Sequence, residues 1–333
     1  MRYLLIFVIC LVSCSIDESS NKSVLVINKG NTQGTYYYIK YLSVNGKSFQ
    51  TDIDSILNEI DLSLSIYNNN SLISSINNGD SVNTDFLFNT VFNVSKEINK
   101  KTNGAFDPSI SPLINYWGFY NYTGAEEILI DTLEIINILN NIGFDQIDLN
   151  NNFVQLPTNM TLDFNSIAQG YTVDLIGSHL KKEGVNDFLI NVGGENLASG
   201  KNQEGDIWKI GIEKPTIKIN DEYKLIISLN NKAIATSGNY RKFHKINGKK
   251  YSHVIDPSTG YPANNRLLSV SVIHDNCMIA DAYATAFMVM GVKKTKDFIK
   301  KNKELQVFLI YSSKENEELE TYISPSLNNS VID

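Results

Sequence analysis

The chain has 333 residues, of which 42% are hydrophobic and 20% charged, with a formal net charge of −7. That length holds one large domain or two small ones, with enough apolar content to bury a core. The acidic balance, without any Lys/Arg block, argues against nucleic-acid binding, whose phosphate contacts require a basic patch.

The N-terminus opens with Arg2 and an apolar run from Tyr3 to Val12, followed by small residues. Such a run is too short to cross a bilayer core of about 30 Å as a helix, and its flanks suit an export signal. A buried element of the fold is the alternative, but the polar SIDESSNKS that follows reads as a tether. LVSC, ending at Cys14, resembles the lipobox of bacterial lipoproteins, in which the cysteine is acylated and becomes the new N-terminus. The expected organisation is a signal peptide over 1–13, a lipidated tether over 14–22 and one domain over 23–333, exported and anchored on the periplasmic face of a bacterial membrane. Cys277 would then stand alone, leaving the domain without an internal disulfide.

Further along, SVLVIN and GTYYYIKYLSV read as strands. From Thr51 the period changes: Ile53, Ile56, Leu57, Ile60 and Leu64 fall at helical spacing, and Thr51 with Asp54 fits a capping-box start. A second helix is predicted over Thr84 to Thr102, with Leu87, Val91, Val94 and Ile98 on one face, and a third ends near Gly143. LDFNSIAQGYTVDLIGSHLKKEG begins as a strand and becomes a helix that stops at Gly184. The strands DFLINV, IWKIGIE, YKLIISL, KAIATS and LLSVSVI follow. CMIADAYATAFMVMG reads as a buried helix closed by Gly291, and a further helix and the strand LQVFLIY come after it. Helices and strands mix without βαβ alternation, which predicts an α+β class.

Four motifs stand out. In ADAYAT, a helix would place Asp281 and Thr285 on one face, and a carboxylate with a hydroxyl suits Mg²⁺. The alternative is local: Asp281 caps the first turn and Thr285 bonds back to a carbonyl. NVGGENLASG puts two glycines after a strand, either a plain turn or an anion cradle of backbone N–H groups. It is not a GxGxxG fingerprint, and no P-loop occurs. GAFDPSISPLINYWGF carries Phe106, Tyr116, Trp117 and Phe119, which either pack a core or wall a flat ligand. YSHVIDPSTGYP sets His253 before a turn that Pro257 and Gly260 explain, while the histidine itself stays unexplained.

The order of GTYYYIKY, SIYNNNSLISSIN, GAFDPSISPLINYWGF, LDFNSIAQGYTVD, NVGGE, ATSGNYRKF, YSHVIDPSTGYP and ADAYATAFMVMG resembles the ApbE family of bacterial FAD:protein FMN transferases. The resemblance runs from about Gly30 to beyond Gly291 and implies a single T-fold-like α+β domain with mixed sheets and helices and the flavin in a central cleft. It implies FAD as substrate and Mg²⁺ as cofactor, with FMN attached to a Ser or Thr of an acceptor protein and AMP released. The family's acceptors include subunits of membrane redox pumps and exported flavoproteins.

On this resemblance Asp281, Thr285 and the main-chain carbonyl of Ser166 become metal ligands. Gln33, Gly34, Ala105, Phe106, Asp107, Asp163, Gln169, His253 and Ile255 would contact FAD, with Tyr67 against the flavin. His253 and Asp281 would carry catalysis, His253 as general base, since imidazole takes protons at about neutral pH. Asp256 either orients His253 or caps the turn. The family often has Met where Gln33 stands, Lys or Glu at Gln169, and Asp at Glu195 and Asn239. Two other readings share the site: a Mg²⁺-dependent FAD pyrophosphatase, and a non-enzymatic flavin-binding lipoprotein.

Overall fold

The computed structural model describes residues 22–120, 130–213, 223–239, 243–246, 249–314 and 318–332; the expected signal peptide, Cys14 and nearly all of the tether lie outside them. The chain opens with a hairpin, β1 (Ser23–Thr32) and β2 (Thr35–Val44), in which Tyr37, Ile39 and Tyr41 point inward at period two. The helices α1 (Gln50–Leu64), α2 (Leu72–Asn77), α3 (Phe86–Lys101), α4 (Ser111–Tyr116) and α5 (Thr132–Leu139) follow. After the short pair β3 (Leu149–Asn150) and β4 (Phe153–Val154) comes α6 (Asn165–Lys182). Strands then dominate: β5 (Phe188–Val192), β6 (Glu195–Ser199), β7 (Trp208–Glu213), β8 (Tyr223–Leu229), β9 (Lys232–Gly238), β10 (Phe243–Ile246), β11 (Lys249–Ser252) and β12 (Leu267–His274). The long α7 (Cys277–Lys301), β13 (Gln306–Ser312), β14 (Leu319–Ile323) and β15 (Val331–Ile332) complete the chain.

Eight strands form one antiparallel sheet in the order β1-β2-β5-β6-β9-β12-β13-β14. Its two faces separate cleanly along β13. Val307, Leu309 and Tyr311 join the main core beneath α6 and α7, while Phe308 and Ile310 meet the three-stranded sheet β15-β8-β7 on the other side. Each fully buried side chain of this size contributes about 1.5–3 kcal/mol, so the sheet is clamped from both faces. The fold is therefore α+β, as the mixed pattern predicts.

Several local expectations differ in the structure. Helix α1 starts at Gln50, and the capping box does not form; Asp54 accepts hydrogen bonds from the Tyr37 hydroxyl (3.0 Å) and Gln50 Nε2 (2.8 Å) instead. The buried Tyr41 hydroxyl accepts the Phe49 N–H at 2.8 Å, so a tertiary partner serves the helix entry. α3 begins at an Asp85 cap, whose carboxylate accepts the Phe88 N–H at 2.7 Å. The helix expected to end near Gly143 ends at Leu139, and Gly143, with φ 146°, opens a single 3₁₀ turn. LDF is not a strand: the Leu162 N–H goes to Asn77 Oδ1 (2.7 Å) and the Asp163 N–H to the Pro108 carbonyl (2.8 Å). α7 breaks at Gly291 (φ 71°), as the closing glycine and further helix foretold.

Candidate active site

Helices α6 and α7 build the deep wall of a cleft. They can approach because α6 carries Gly170, where an added Cβ would lie 2.5 Å from the Cys277 carbonyl oxygen and 2.9 Å from Asp281 Cβ. The Gly170 N–H donates to Asp281 Oδ2 at 3.1 Å. One turn on, the Asp174 carboxylate accepts the N–H groups of Cys277 (2.8 Å) and Met278 (2.9 Å), and the Asn276 side chain accepts that of Ile279 (2.9 Å). The start of α7 is thus capped by Asp174 and Asn276, leaving Asp281 to face the cleft.

That cleft has a volume of about 530 Å³. It brings together Tyr67, Ala105, Asp107, Asp163, Ser166, Gln169, His253, Ile255, Asp281 and Thr285. Both local alternatives for the ADAYAT pair fail. Asp281 caps nothing on its own helix, and the Thr285 hydroxyl forms no hydrogen bond among the described residues, although Thr172 and Thr90 bond back to Ala168 and Phe86. Burial pushes the Asp281 carboxyl up to about 7; the Gly170 N–H opposes the rise and the charge of Asp174 adds to it. Asp174 itself is pushed up to about 6 by burial, against the two N–H groups it accepts. Glu195, at the start of β6, lines the same wall and is raised well above the ordinary range by burial and then by the charge of Asp281.

The remaining walls come from loops. Asp163, 5% exposed, accepts the Asn165 N–H (2.7 Å) and the Tyr120 hydroxyl (2.6 Å). Burial raises its carboxyl, with the Tyr120 donor opposing, and burial plus the Asp163 charge raise the phenol of Tyr120. Asp107 holds its own turn through Ser109 N (2.8 Å) and Ser109 Oγ (2.5 Å), and accepts the Phe144 N–H (3.2 Å). Tyr67 stands at the mouth, 68% exposed, its ring edge-on to Tyr120 at 6.4 Å.

His253 follows β11 and packs edge-on to Phe119, 6.2 Å between ring centres. The turn after it is self-contained: Asp256 Oδ1 accepts Ser258 N (2.9 Å) and Oγ (2.6 Å), its carbonyl accepts the Gly260 N–H (2.9 Å), and Gly260 has φ 75°. Asp256 therefore serves the turn and not the histidine. Gly260 also accepts the Trp117 indole N–H (2.9 Å), and Trp117 stacks on Tyr251 at 5.5 Å. The aromatic residues flanking the motif are thus a small core that fixes the His253 loop, together with Leu113, Ile135 and Ile255.

Three expected contacts sit elsewhere. The Phe106 side chain is 1% exposed in the main core, and its backbone is engaged too: its N–H donates to Thr102 Oγ1 (3.2 Å) and its carbonyl accepts from Asn99 Nδ2 (2.8 Å). Gln33 (φ 49°) and Gly34 (φ 70°) form the tight turn of β1 and β2. Gln33 lines a neighbouring pocket of about 220 Å³ shared with Tyr67 and Gln169, and its Nε2 donates to Thr172 Oγ1 at 2.6 Å. Gly34 lines neither pocket. The glycine pair is a hairpin turn with φ 64° and 117°, and the Gly193 N–H is taken by the Tyr36 carbonyl (3.0 Å), which removes it from an anion cradle. Sequence reasoning missed Tyr120, Asn165 and Asp174, and it noted Glu195 only as a departure; NVGGE, an acid directly after the hairpin glycines, was the available signal.

The site residues fit a hard cation. Among the described residues no group of three or more His, Cys, Asp or Glu side chains is placed to hold a metal by itself, so the donors would be carboxylate together with hydroxyl and carbonyl oxygens. Asp281, Thr285 and Ser166 line the cleft and would supply that set, and Glu195 Oε2 is buried without a hydrogen-bond partner among the described residues.

A sheet-backed cleft with carboxylates at its floor and a loop-borne histidine on its wall defines an α+β domain built around a sizeable polar ligand. Residues 33–309 match the ApbE family, and the chain belongs to it. A FAD:protein FMN transferase from Vibrio cholerae is 36% identical over 80% of this chain and 81% of its own length. One from Haemophilus influenzae is 33% identical over 90% of both. Among solved structures, the flavin transferase ApbE from Vibrio cholerae superposes with a TM-score of 0.83 at 32% identity, covering 92% of this chain and 99% of that one. The apo flavinyl transferase ApbE of Pseudomonas stutzeri gives 0.82 at 28% identity, covering 93% and 97%.

Proposed function

We propose that this chain transfers FMN from FAD to a Ser or Thr hydroxyl of an acceptor protein and releases AMP. The observation that carries the reading is the single cleft joining Asp281 and Thr285 to His253. The acceptor oxygen attacks the phosphorus on the FMN side of the pyrophosphate. The bond from that phosphorus to the bridging oxygen breaks, and its electron pair leaves on AMP. His253 takes the hydroxyl proton as the oxygen becomes a nucleophile. Mg²⁺, held by Asp281, Thr285 and the Ser166 carbonyl, would neutralise charge on the pyrophosphate oxygens. Asp163, in the loop before α6, and Gln169, on α6, orient the substrate, and Tyr67 covers the flavin at the mouth. Chromatography of FAD, FMN and AMP after incubation with Mg²⁺ and acceptor tests the reaction. AMP formed in step with acceptor labelling supports it, and FAD recovered unchanged contradicts it.

The same proposal extends to location. Cleavage before Cys14 and its acylation would hold the domain, through the tether, on the periplasmic face of the membrane beside exported flavoproteins or redox-pump subunits. Cys14→Ala should release the protein from the membrane fraction; retention of that variant in the membrane refutes the anchor.

A further inference from the structure

We infer that Glu195 supplies the second carboxylate of the cation site, beside Asp281. The inference rests on the cation reading above and extends it to a residue outside the Asp281–Thr285–Ser166 set. Glu195 begins β6 directly after the hairpin glycines, paired with Val192, so the turn fixes its direction. Its side chain lines the cleft and is only 6% exposed. Oε2 has no hydrogen-bond partner, and no ion pair reaches Glu195 among the described residues.

A carboxylate oxygen left bare in a protein interior is costly, and native structures almost always satisfy such atoms. The other acids in and beside the cleft show how. Asp163 has Tyr120 and Asn165, Asp107 has Ser109 and Phe144, and Asp174 has two N–H groups of α7. Asp281 has the Gly170 N–H on one oxygen only. Glu195 and Asp281 line the same cleft, and the buried Cys277 thiol at the start of α7 lies against the carbonyl of Asn196, next to Glu195. Two acids with unfilled acceptor capacity and no cationic partner among the described residues are satisfied together by a divalent metal. With Glu195 in place the site carries two negative charges, which strengthens its hold on a dication even before FAD brings its phosphates.

The test is a titration with Mn²⁺ of the full-length protein, purified in detergent and freed of metal and FAD, followed by the loss of the free-ion electron paramagnetic resonance signal. Glu195→Gln, which keeps shape and removes charge, should weaken Mn²⁺ binding about tenfold or more, in line with other residues that support metal ligands. Its metal-free melting temperature should equal or exceed that of the parent, because a repulsive pair is gone. Glu195→Asp, retaining the charge, should bind Mn²⁺ at intermediate strength, and this variant decides the matter if the glutamine variant does not fold. Wild-type Mn²⁺ affinity in Glu195→Gln overturns the inference. Asp281→Asn in parallel separates the two readings: if it alone loses Mn²⁺, only the Glu195 inference falls, and if neither variant loses it, the cation reading falls as well.

Discussion

The floor and the mouth of the cleft are built on opposite plans. At the floor, Asp281 is 6% exposed and held by a main-chain N–H from a helix packed so closely that only glycine fits at the contact. At the mouth, Tyr67 is 68% exposed, and among the described residues its hydroxyl meets only the Asn165 amide, at a long 3.4 Å. Charge set rigidly in a low-dielectric pocket stabilises developing charge without reorganising at the moment of reaction. A mouth made of loosely held aromatic groups suits what must enter and leave, a flavin and then a segment of another protein. His253 lines the same cleft, on a loop fastened by the Trp117 indole N–H, which donates to the Gly260 carbonyl.

This contrast predicts a gradient of mutational effects. Asp281→Asn should lower both acceptor labelling and FAD breakdown by about a thousandfold, since removing one electrostatic stabiliser commonly costs 10²–10³. His253→Ala should slow transfer by about a hundredfold, within the usual range for a general base, while leaving the Kd for FAD within about threefold of the parent. Single-turnover rates and fluorescence titration of FAD check the two halves of that statement.

Gly170→Ala probes the floor through packing. The new methyl group would meet backbone, not a flexible side chain, so a loss of about 1–3 kcal/mol is expected in denaturant unfolding. Unchanged stability would mean that α6 and α7 are less tightly joined than the distances indicate. A smaller effect concerns Asp174, whose buried carboxyl sits at about 6. A native pKa above the unfolded value means that the folded state binds the proton more tightly. Its contribution to stability is then greatest below about pH 4 and is lost as pH rises through about 6. The stability of the wild type relative to Asp174→Asn should accordingly decline across that window; a flat difference contradicts the burial argument. Smallest of all, Tyr67→Phe should leave the transfer rate within about twofold, and a large loss would move the mouth into the catalytic machinery.

What the sequence revealed divides along the same physical line. Asp281 and Thr285 were legible because one helix period relates them, and β2 was legible as a strand from its β-branched and aromatic residues. The capping box at Thr51 misled because the helix entry is served by Tyr41, a tertiary partner that local pattern does not encode. LDF has the composition of a strand, yet its backbone groups are claimed by Asn77 and Pro108. Asp174 and Glu195 were illegible for a related reason. Their importance arises where α6, β6 and α7 meet, and segments distant in sequence leave no short-range signature of such a meeting. The resemblance to ApbE proteins supplied the residue roles proposed above that spacing alone left open, above all that of His253.

The most direct test of the account is the intact mass of an acceptor after incubation with the full-length protein, FAD and Mg²⁺, using the flavin-free form of a redox-pump subunit or exported flavoprotein as acceptor. The account predicts an acceptor heavier by one FMN phosphoester, with an equal amount of AMP in solution. FMN and AMP appearing while the acceptor keeps its mass would contradict it and make the same cleft that of a pyrophosphatase.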